Sequence, residues 1–404
     1  MNPSSKLPPR FQKYASFGVI PKLLLLPFAF ILVTAMLILR PFVIIQVYPL
    51  DWQLGHLLVM SRANELRTRQ WNENHRRKKI TIYCVDGPIA SRYALKKLRE
   101  SLWCAQGNFA WLLNHLSGFA SMTQTYFAVD RDFGTNYEIT SLIKFTKAEN
   151  KKGEDSAKQH RPLVCLNVRD QAYNSFIIDE VGVQVKDWTN RNSDIKSYRR
   201  AAEFLANNGY TVFRMGAKVE NSFACNNPMI IDYATNGMRT EFLDFYLAHE
   251  CNFAISTSSG WDEIPTMFQR PLLLVNHYDF LNTLSKNCLV YPKMLFDTNG
   301  GRYLSLSETI EMHLSGKTNQ KKHSLRDFGI ELKDLSSEDL VDAVTEMAQR
   351  VKGTFVETSQ QREMRAKVEH ILRTHPKLQM LTNHRPVKSQ FASCFLNRHS
   401  NFCE

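Results

Sequence analysis

The sequence has no Cys-x-x-Cys pair, no Gly-x-Gly-x-x-Gly, no Walker loop and no His-Glu-x-x-His. Each absence removes a class of chemistry. Without the glycine fingerprint there is no signature of an ordinary dinucleotide site, and without a Walker loop there is none of P-loop phosphoryl transfer. The missing metal motifs leave no expectation of a resident metal or cofactor. Zinc-finger spacing, an RNP-type strand and a long basic helix are absent too, so the net charge of +12 is not read as nucleic-acid binding. No repeat at a solenoid period and no low-complexity tract interrupts the chain.

Disulfide chemistry is also lacking. The eight cysteines are scattered, and Cys84 and Cys165 lie inside apolar strand-like runs, where a thiol acts as a small core residue. This usage points to a reducing compartment. A chain of 404 residues, 44% hydrophobic and 22% charged, has the composition of a globular protein with two cores.

One long apolar run is present. Leu23–Leu39 carries no charge and is bounded by Lys22 and Arg40. Its seventeen residues are at the short end for a spanning helix, which takes about 20. No small-x-small cleavage site follows it, which argues against a secretory signal. Lys6, Arg10 and Lys13 precede it, and Arg62, Arg67, Arg69, Arg76, Arg77, Lys78 and Lys79 follow. That excess after the run places the downstream chain on the cytoplasmic side of an inner membrane, against an anionic surface. The expectation is a detachable membrane anchor over residues 1–40, spanning or lying in-plane.

Beyond it, strands and helices alternate. Phe42–Val47 and Ile80–Val85 read as buried strands, with helical patterns at 57–69, 91–102 and 107–117. A charged stretch, Lys147–Arg161, has the composition of an exposed linker. Strands at Leu163–Val168, Tyr210–Arg214, Phe253–Ser256 and Pro271–Val275 then alternate with helices, one capped within Asn192-Ser193-Asp194 and stopped by Gly209. Ser336 or Ser337 caps a later helix. The pattern predicts an α/β chain of two Rossmann-like domains, 41–150 and 151–330, followed by a helical extension, 331–404.

Open parallel sheets bind ligands beyond the carboxyl ends of their strands. The block Ile230–Asn276 carries Thr257-Ser258-Ser259-Gly260 between a strand and a helix start, where hydroxyls and backbone N–H groups suit a pyrophosphate. Against that, Asp262 and Glu263 already serve the positive helix end. Arg169 and Arg214 end two strands of the same domain and offer bidentate donors. In the first domain, Gly55-His56 opens a helix, with His56 the candidate base, and Asp86 ends a strand as a candidate acceptor contact.

These blocks together resemble a family of bacterial glycosyltransferases from surface-polysaccharide gene clusters. The resemblance rests on Arg40-Pro41, Leu54-Gly55-His56-Leu57, Val168-Arg169-Asp170 with Tyr173, and Arg191-Asn192-Ser193-Asp194 with Tyr198. It continues through Gly209-Tyr210, Arg214-Met215-Gly216 and Thr257–Gly260 with Pro271 and Asn276. More distantly, Asn167-Val168-Arg169 looks like the His-x-Arg motif of fucosyltransferases, with Asn in the first position. The resemblance implies a GT-B-like pair of facing domains and transfer of a sugar from a nucleotide-sugar donor to a membrane-associated glycan or lipid-linked acceptor. Arg169, Arg214, Thr257, Ser258, Ser259 and Gly260 would hold the donor, with Gly55, His56 and Asp86 on the acceptor side. Two alternatives stand beside it: another nucleotide-sugar or dinucleotide enzyme, and a non-catalytic membrane-bound scaffold that keeps a transferase fold.

Overall fold

The computed structural model describes residues 19–50, 53–85, 87, 89–119, 141–176, 189–278, 280–283, 287–315, 325–382 and 387–404. The chain is mixed α/β with parallel sheets and forms two compact units that divide between Ala148 and Glu149.

The first unit begins with helix α1 (Val19–Leu39), followed by strand β1 (Val43–Pro49), helix α2 (Leu54–Asn74) and strand β2 (Lys78–Val85). Helix α3 (Arg92–Arg99), strand β3 (Cys104–Gln106) and helix α4 (Gly107–Phe119) complete its described elements. The strands form a parallel sheet in the order β1-β2-β3. Side chains alternate across a strand, so the sheet has two different faces. On one, Ile45, Val47, Ile82 and Cys84 cluster with Val33 and Met36 of α1 and with Ala110 and Leu113 of α4. The other is polar. There Asn64 of α2 donates to Thr81 Oγ1 at 3.2 Å and to the Tyr83 hydroxyl at 3.0 Å, and Gln46 donates to Asn64 at 3.4 Å.

The expectation of a detachable, membrane-spanning anchor is therefore corrected. Among the described residues no helix is long and apolar enough to cross a membrane. Helix α1 is instead a structural part of the first unit: Ala29 and Met36 are fully enclosed and Val33 nearly so, at the spacing of one helical face. Residues 1–18 of the expected anchor lie outside the described residues.

In the second unit the stretch read as a linker is largely helix α5 (Lys147–Ala157). A glycine inside it is explained by a neighbour, since a Cβ on Gly153 would lie 2.4 Å from the ring of Tyr246. The element order continues β4 (Leu163–Asn167), α6 (Gln171–Phe176), α7 (Arg199–Asn207), β5 (Thr211–Met215), β6 (Ile230–Ile231), α8 (Glu241–Glu250) and β7 (Phe253–Ser256). Next come α9 (Glu263–Met267), β8 (Leu272–His277) and β9 (Cys288–Pro292), then a small antiparallel sheet of β10 (Met294–Asp297), β11 (Arg302–Tyr303) and β12 (Ile330–Lys333).

The main sheet has seven parallel strands in the order β13-β9-β8-β7-β4-β5-β6, where β13 is Gln390–Phe391. Strand β4 lies in its interior. The chain first winds outward through β5 and β6, then returns to the other side of β4 to lay down β7, β8 and β9. That reversal is the topological switch point of a doubly wound sheet. Residues 331–404 are not an appendage, because β13 pairs with β9. Buried Glu346, on the helix Ser337–Lys352, accepts from the backbone N–H groups of Ser393 (3.0 Å) and Cys394 (2.9 Å).

Because α1 covers the apolar sheet face, Met36→Ala is expected to destabilise the first unit by about 2–5 kcal/mol. Deletion of residues 1–40 is expected to abolish the cooperative transition of that unit. Urea unfolding checks both: an unchanged midpoint in Met36→Ala would show that the helix is dispensable to the fold.

Candidate functional site

The site is built at the switch point, where β4 and β7 end side by side. Beyond β7 the chain turns through Thr257, Ser258 and Ser259 into a 3-10 turn at Gly260–Asp262, followed by the short helix α9. Three bonds tie this loop to the end of β4. The Thr257 N–H donates to the Asn167 carbonyl at 3.2 Å, the Arg169 N–H donates to Thr257 Oγ1 at 2.9 Å, and Asn167 Nδ2 donates to Ser259 Oγ at 2.8 Å.

Asp262 holds the loop from below and is almost fully buried. Its carboxylate accepts from the Ser256 hydroxyl at 2.5 Å and the Ser259 N–H at 3.0 Å, and Ser259 Oγ accepts from the Trp261 N–H at 3.1 Å. Under these constraints Ser258 adopts a φ of +69°, a left-handed conformation that a non-glycine residue keeps only where its surroundings impose it. Asp262 and Ser259 satisfy the N–H groups at the start of the turn. The helix-start contribution expected from the sequence is thus largely consumed, and since the Ser259 hydroxyl donates to Asp262 at 3.4 Å, the Ser258 hydroxyl is what the loop presents.

A second segment meets the first. Residues Thr189–Arg191 form a 3-10 turn, and Arg191 Nη2 lies 3.5 Å from Ser258 Oγ. Three bonds fix this segment: the Ser193 N–H to the Arg169 carbonyl (2.9 Å), Asn192 Nδ2 to Gln171 (2.8 Å), and Lys293 Nζ to the Asn192 carbonyl (2.8 Å). Lys293, just past β9 and itself nearly buried, also pairs with Asp334 at 2.7 Å. Arg191 Nε is enclosed and has no hydrogen-bond partner among the described residues, and the same holds for the indole N–H of Trp261. Behind the loop, Asn276, with a φ of +50° at the end of β8, donates to the Tyr198 hydroxyl at 3.1 Å and accepts the Leu335 N–H at 2.7 Å. Burial raises the Tyr198 phenol well above its usual range, so it stays neutral.

Of the residues singled out in the sequence, the structure brings the backbone of Arg169 against Thr257, next to Ser258 and Ser259, with Gly260 exposed beside them as the first residue of the turn. It does not bring Arg214 to them. Arg214 is fully enclosed: Nη1 pairs with Asp232 at 3.1 Å, Nη2 donates to the Asn221 carbonyl at 3.1 Å, and Asp170 lies 3.9 Å away. Asp232 in turn accepts the Phe223 N–H at 2.7 Å and the Thr235 hydroxyl at 2.5 Å. Arg214 therefore organises the segment between β5 and β6.

In the first unit, Gly55 is buried near the start of α2 and His56 is half-buried beside it. Asp86 lies outside the described residues. Among the described residues no group of His, Cys, Asp and Glu stands together as a metal site; the chain's one Asp-x-Asp, Asp130-Arg131-Asp132, lies outside them. The sequence reading missed Arg191 and Lys293 as site residues, and it read Asp262 only as a competitor for phosphate. The signal for Arg191 was present in the Arg191–Asp194 block, but nothing in the spacing tells that a segment more than sixty residues upstream folds over Ser258.

No family model and no curated protein matches the chain. Among solved structures it is similar to a family 9 glycosyltransferase from Veillonella parvula, at a TM-score of 0.42 and 11% identity over 76% of this chain and 97% of that one. It is also similar to the ADP-heptose lipopolysaccharide heptosyltransferase II of E. coli (TM-score 0.35, 14% identity, 61% of this chain and 89% of that one). A third is the iron-containing dodecameric glycosyltransferase TibC of enterotoxigenic E. coli (TM-score 0.30, 12% identity, 57% of each chain). No residue role is carried over from them to this chain.

Replacing Asp262 by Ala strands the Ser256 hydroxyl and the Ser259 N–H, at about 1–3 kcal/mol for each buried group. Amide exchange of the peptide spanning 256–261 is expected to accelerate, with β4 and β5 unchanged. Unaltered exchange there would mean that Asp262 does not hold the loop.

Proposed function

We propose that the second unit binds the diphosphate of a nucleotide-sugar donor and that the chain is a glycosyltransferase. One observation carries the reading: the Arg191 guanidinium and the Ser258 hydroxyl meet beside the backbone of Arg169 at the switch point of a seven-stranded parallel sheet. A diphosphate is a compact, doubly charged acceptor of hydrogen bonds. It is matched by a guanidinium fork and the Ser258 hydroxyl, and the enclosed Nε of Arg191 adds a donor with no acceptor among the described residues. The pinned backbone around Ser258 means that little ordering remains to be done on binding.

In this reading the Arg191 guanidinium, held beside Ser258, neutralises the diphosphate as it leaves the sugar, with Arg169 as the second cation. Arg214 supports the same edge through Asp170 and Asp232 without touching the donor. Gly260 leaves room for close approach. Gly55 and His56 serve the acceptor, a glycan or lipid-linked sugar, with His56 as the base. A second reading has its own observation, because read from β6 the sheet follows the strand order of dinucleotide-binding folds. The missing glycine fingerprint speaks against it.

Calorimetric titration with a panel of nucleoside diphosphates and dinucleotides separates the readings. Tight binding of one diphosphate is expected. Loss of one charged hydrogen bond, as in Arg169→Ala or Arg191→Ala, is expected to weaken it by roughly ten-fold to a hundred-fold. Preference for a dinucleotide, or binding indifferent to both substitutions, would overturn the assignment. His56→Ala is expected to lower turnover with the cognate donor and leave diphosphate affinity unchanged. Weakened donor affinity at normal turnover would remove the acceptor-side role.

A further inference from the structure

The outward face of α1 is at odds with a helix that faces water. Its inner face is committed to the sheet and to α4 through Ala29, Val33 and Met36. Its outer face presents Leu24 (69% exposed), Phe28 (66%), Ile31 (65%) and Ile38 (69%), spaced four, three and seven residues apart and so aligned along one stripe. Phe42, just past the helix, is 78% exposed. No charged side chain breaks the run from Leu23 to Leu39. An ordinary surface helix carries charges on this side, and contiguous exposed apolar surface marks a binding face.

Cations border the stripe at both ends. At the amino end Lys22 Nζ stands 4.1 Å from the centroid of the Trp111 ring. At the carboxyl end Arg40 is exposed, and Arg77 reaches its carbonyl at 3.4 Å. Arg76 and Lys78 are exposed beside them, since β2 begins at Lys78, in register with Val43 at the start of β1. A second copy of this chain laid along the stripe, in either direction, would set cation against cation. A lipid surface with anionic headgroups meets both requirements, taking the apolar side chains below its headgroup level and the arginines and lysines at it.

We propose that the first unit docks on anionic lipid through this face of α1, with the helix lying in the plane of the surface. One side of the helix is sheet-bound and only the other meets lipid, so attachment is peripheral and depends on both the apolar stripe and the basic rim.

Flotation of the full chain with vesicles tests this, comparing phosphatidylglycerol-containing with pure phosphatidylcholine vesicles at low and high salt. Strong flotation on the anionic vesicles, weakened by salt, is expected. The triple substitution Phe28→Ser, Ile31→Ser, Ile38→Ser changes only exposed positions and is expected to cut partitioning at least roughly ten-fold with an unchanged urea transition. The substitutions Arg76→Gln, Arg77→Gln and Lys78→Gln are expected to remove the preference for anionic vesicles. Three results would overturn the proposal. They are equal binding by the wild type and the triple variant, retention that resists alkaline carbonate in both, and a concentration-dependent dimer abolished by the triple substitution in a protein that ignores vesicles. Nucleotide titration reads the other unit, so failure here leaves the donor-site reading to its own test.

Discussion

The bond from Asn167 to Ser259 and the bond from the Arg169 N–H to Thr257 cross the seam where the second sheet reverses its winding. At any such seam two neighbouring strands send their following segments in different directions, and a cleft opens beyond their ends. Here the cleft edge is stitched by one side-chain amide and one backbone N–H of one strand end to hydroxyls of the other. Much else in the site follows from that stitching. It fixes the loop after β7, with Asp262 supplying the acceptors from behind, and it leaves Ser258 in a backbone conformation the free chain would not keep. It also sets the carbonyl of Arg169 to receive Ser193, which brings Arg191 over Ser258.

The first unit obeys a different constraint, the two-sidedness of a three-stranded sheet. Alternation along β1 and β2 sends Gln46, Thr81 and Tyr83 to one side and Ile45, Val47, Ile82 and Cys84 to the other. Each side must be covered by something of its own kind. The polar side finds Asn64 of α2, and the apolar side finds α1 and α4. A helix so apolar all round looks like a membrane span when only composition is read. In the fold one side of it is a domain core, and its other side is exposed.

Much of the α/β pattern was legible in the sequence because buried parallel strands are short apolar runs. Leu163–Asn167, Thr211–Met215 and Phe253–Ser256 lie within a residue of where the runs place them. Caps were legible for the same local reason: Asp194 accepts from Lys196, Ser336 from Asp339, and Gly209 ends its helix at a φ of +84°. What failed was non-local. The charged stretch from Lys147 looks like a linker because its polar residues outnumber the few that pack, yet Gly153 and Ala157 are buried. Strand β13, two residues long, carries no pattern at all. In the site, Ser258 and Ser259 announce themselves by position after a strand. The different roles of Arg214 and Arg191 depend on what stands nearby, Asp232 and Asp170 for the first and the Ser258 hydroxyl for the second. Chain order does not encode that.

The most direct test of a diphosphate site at the seam is a crystal structure of the full chain with a bound nucleoside diphosphate. Phosphate oxygens are expected within hydrogen-bond distance of Arg191 and the Ser258 hydroxyl, with the nucleoside lying over the carboxyl ends of β4 and β7. Phosphates bound away from that edge, with the Ser258 loop untouched, would contradict it.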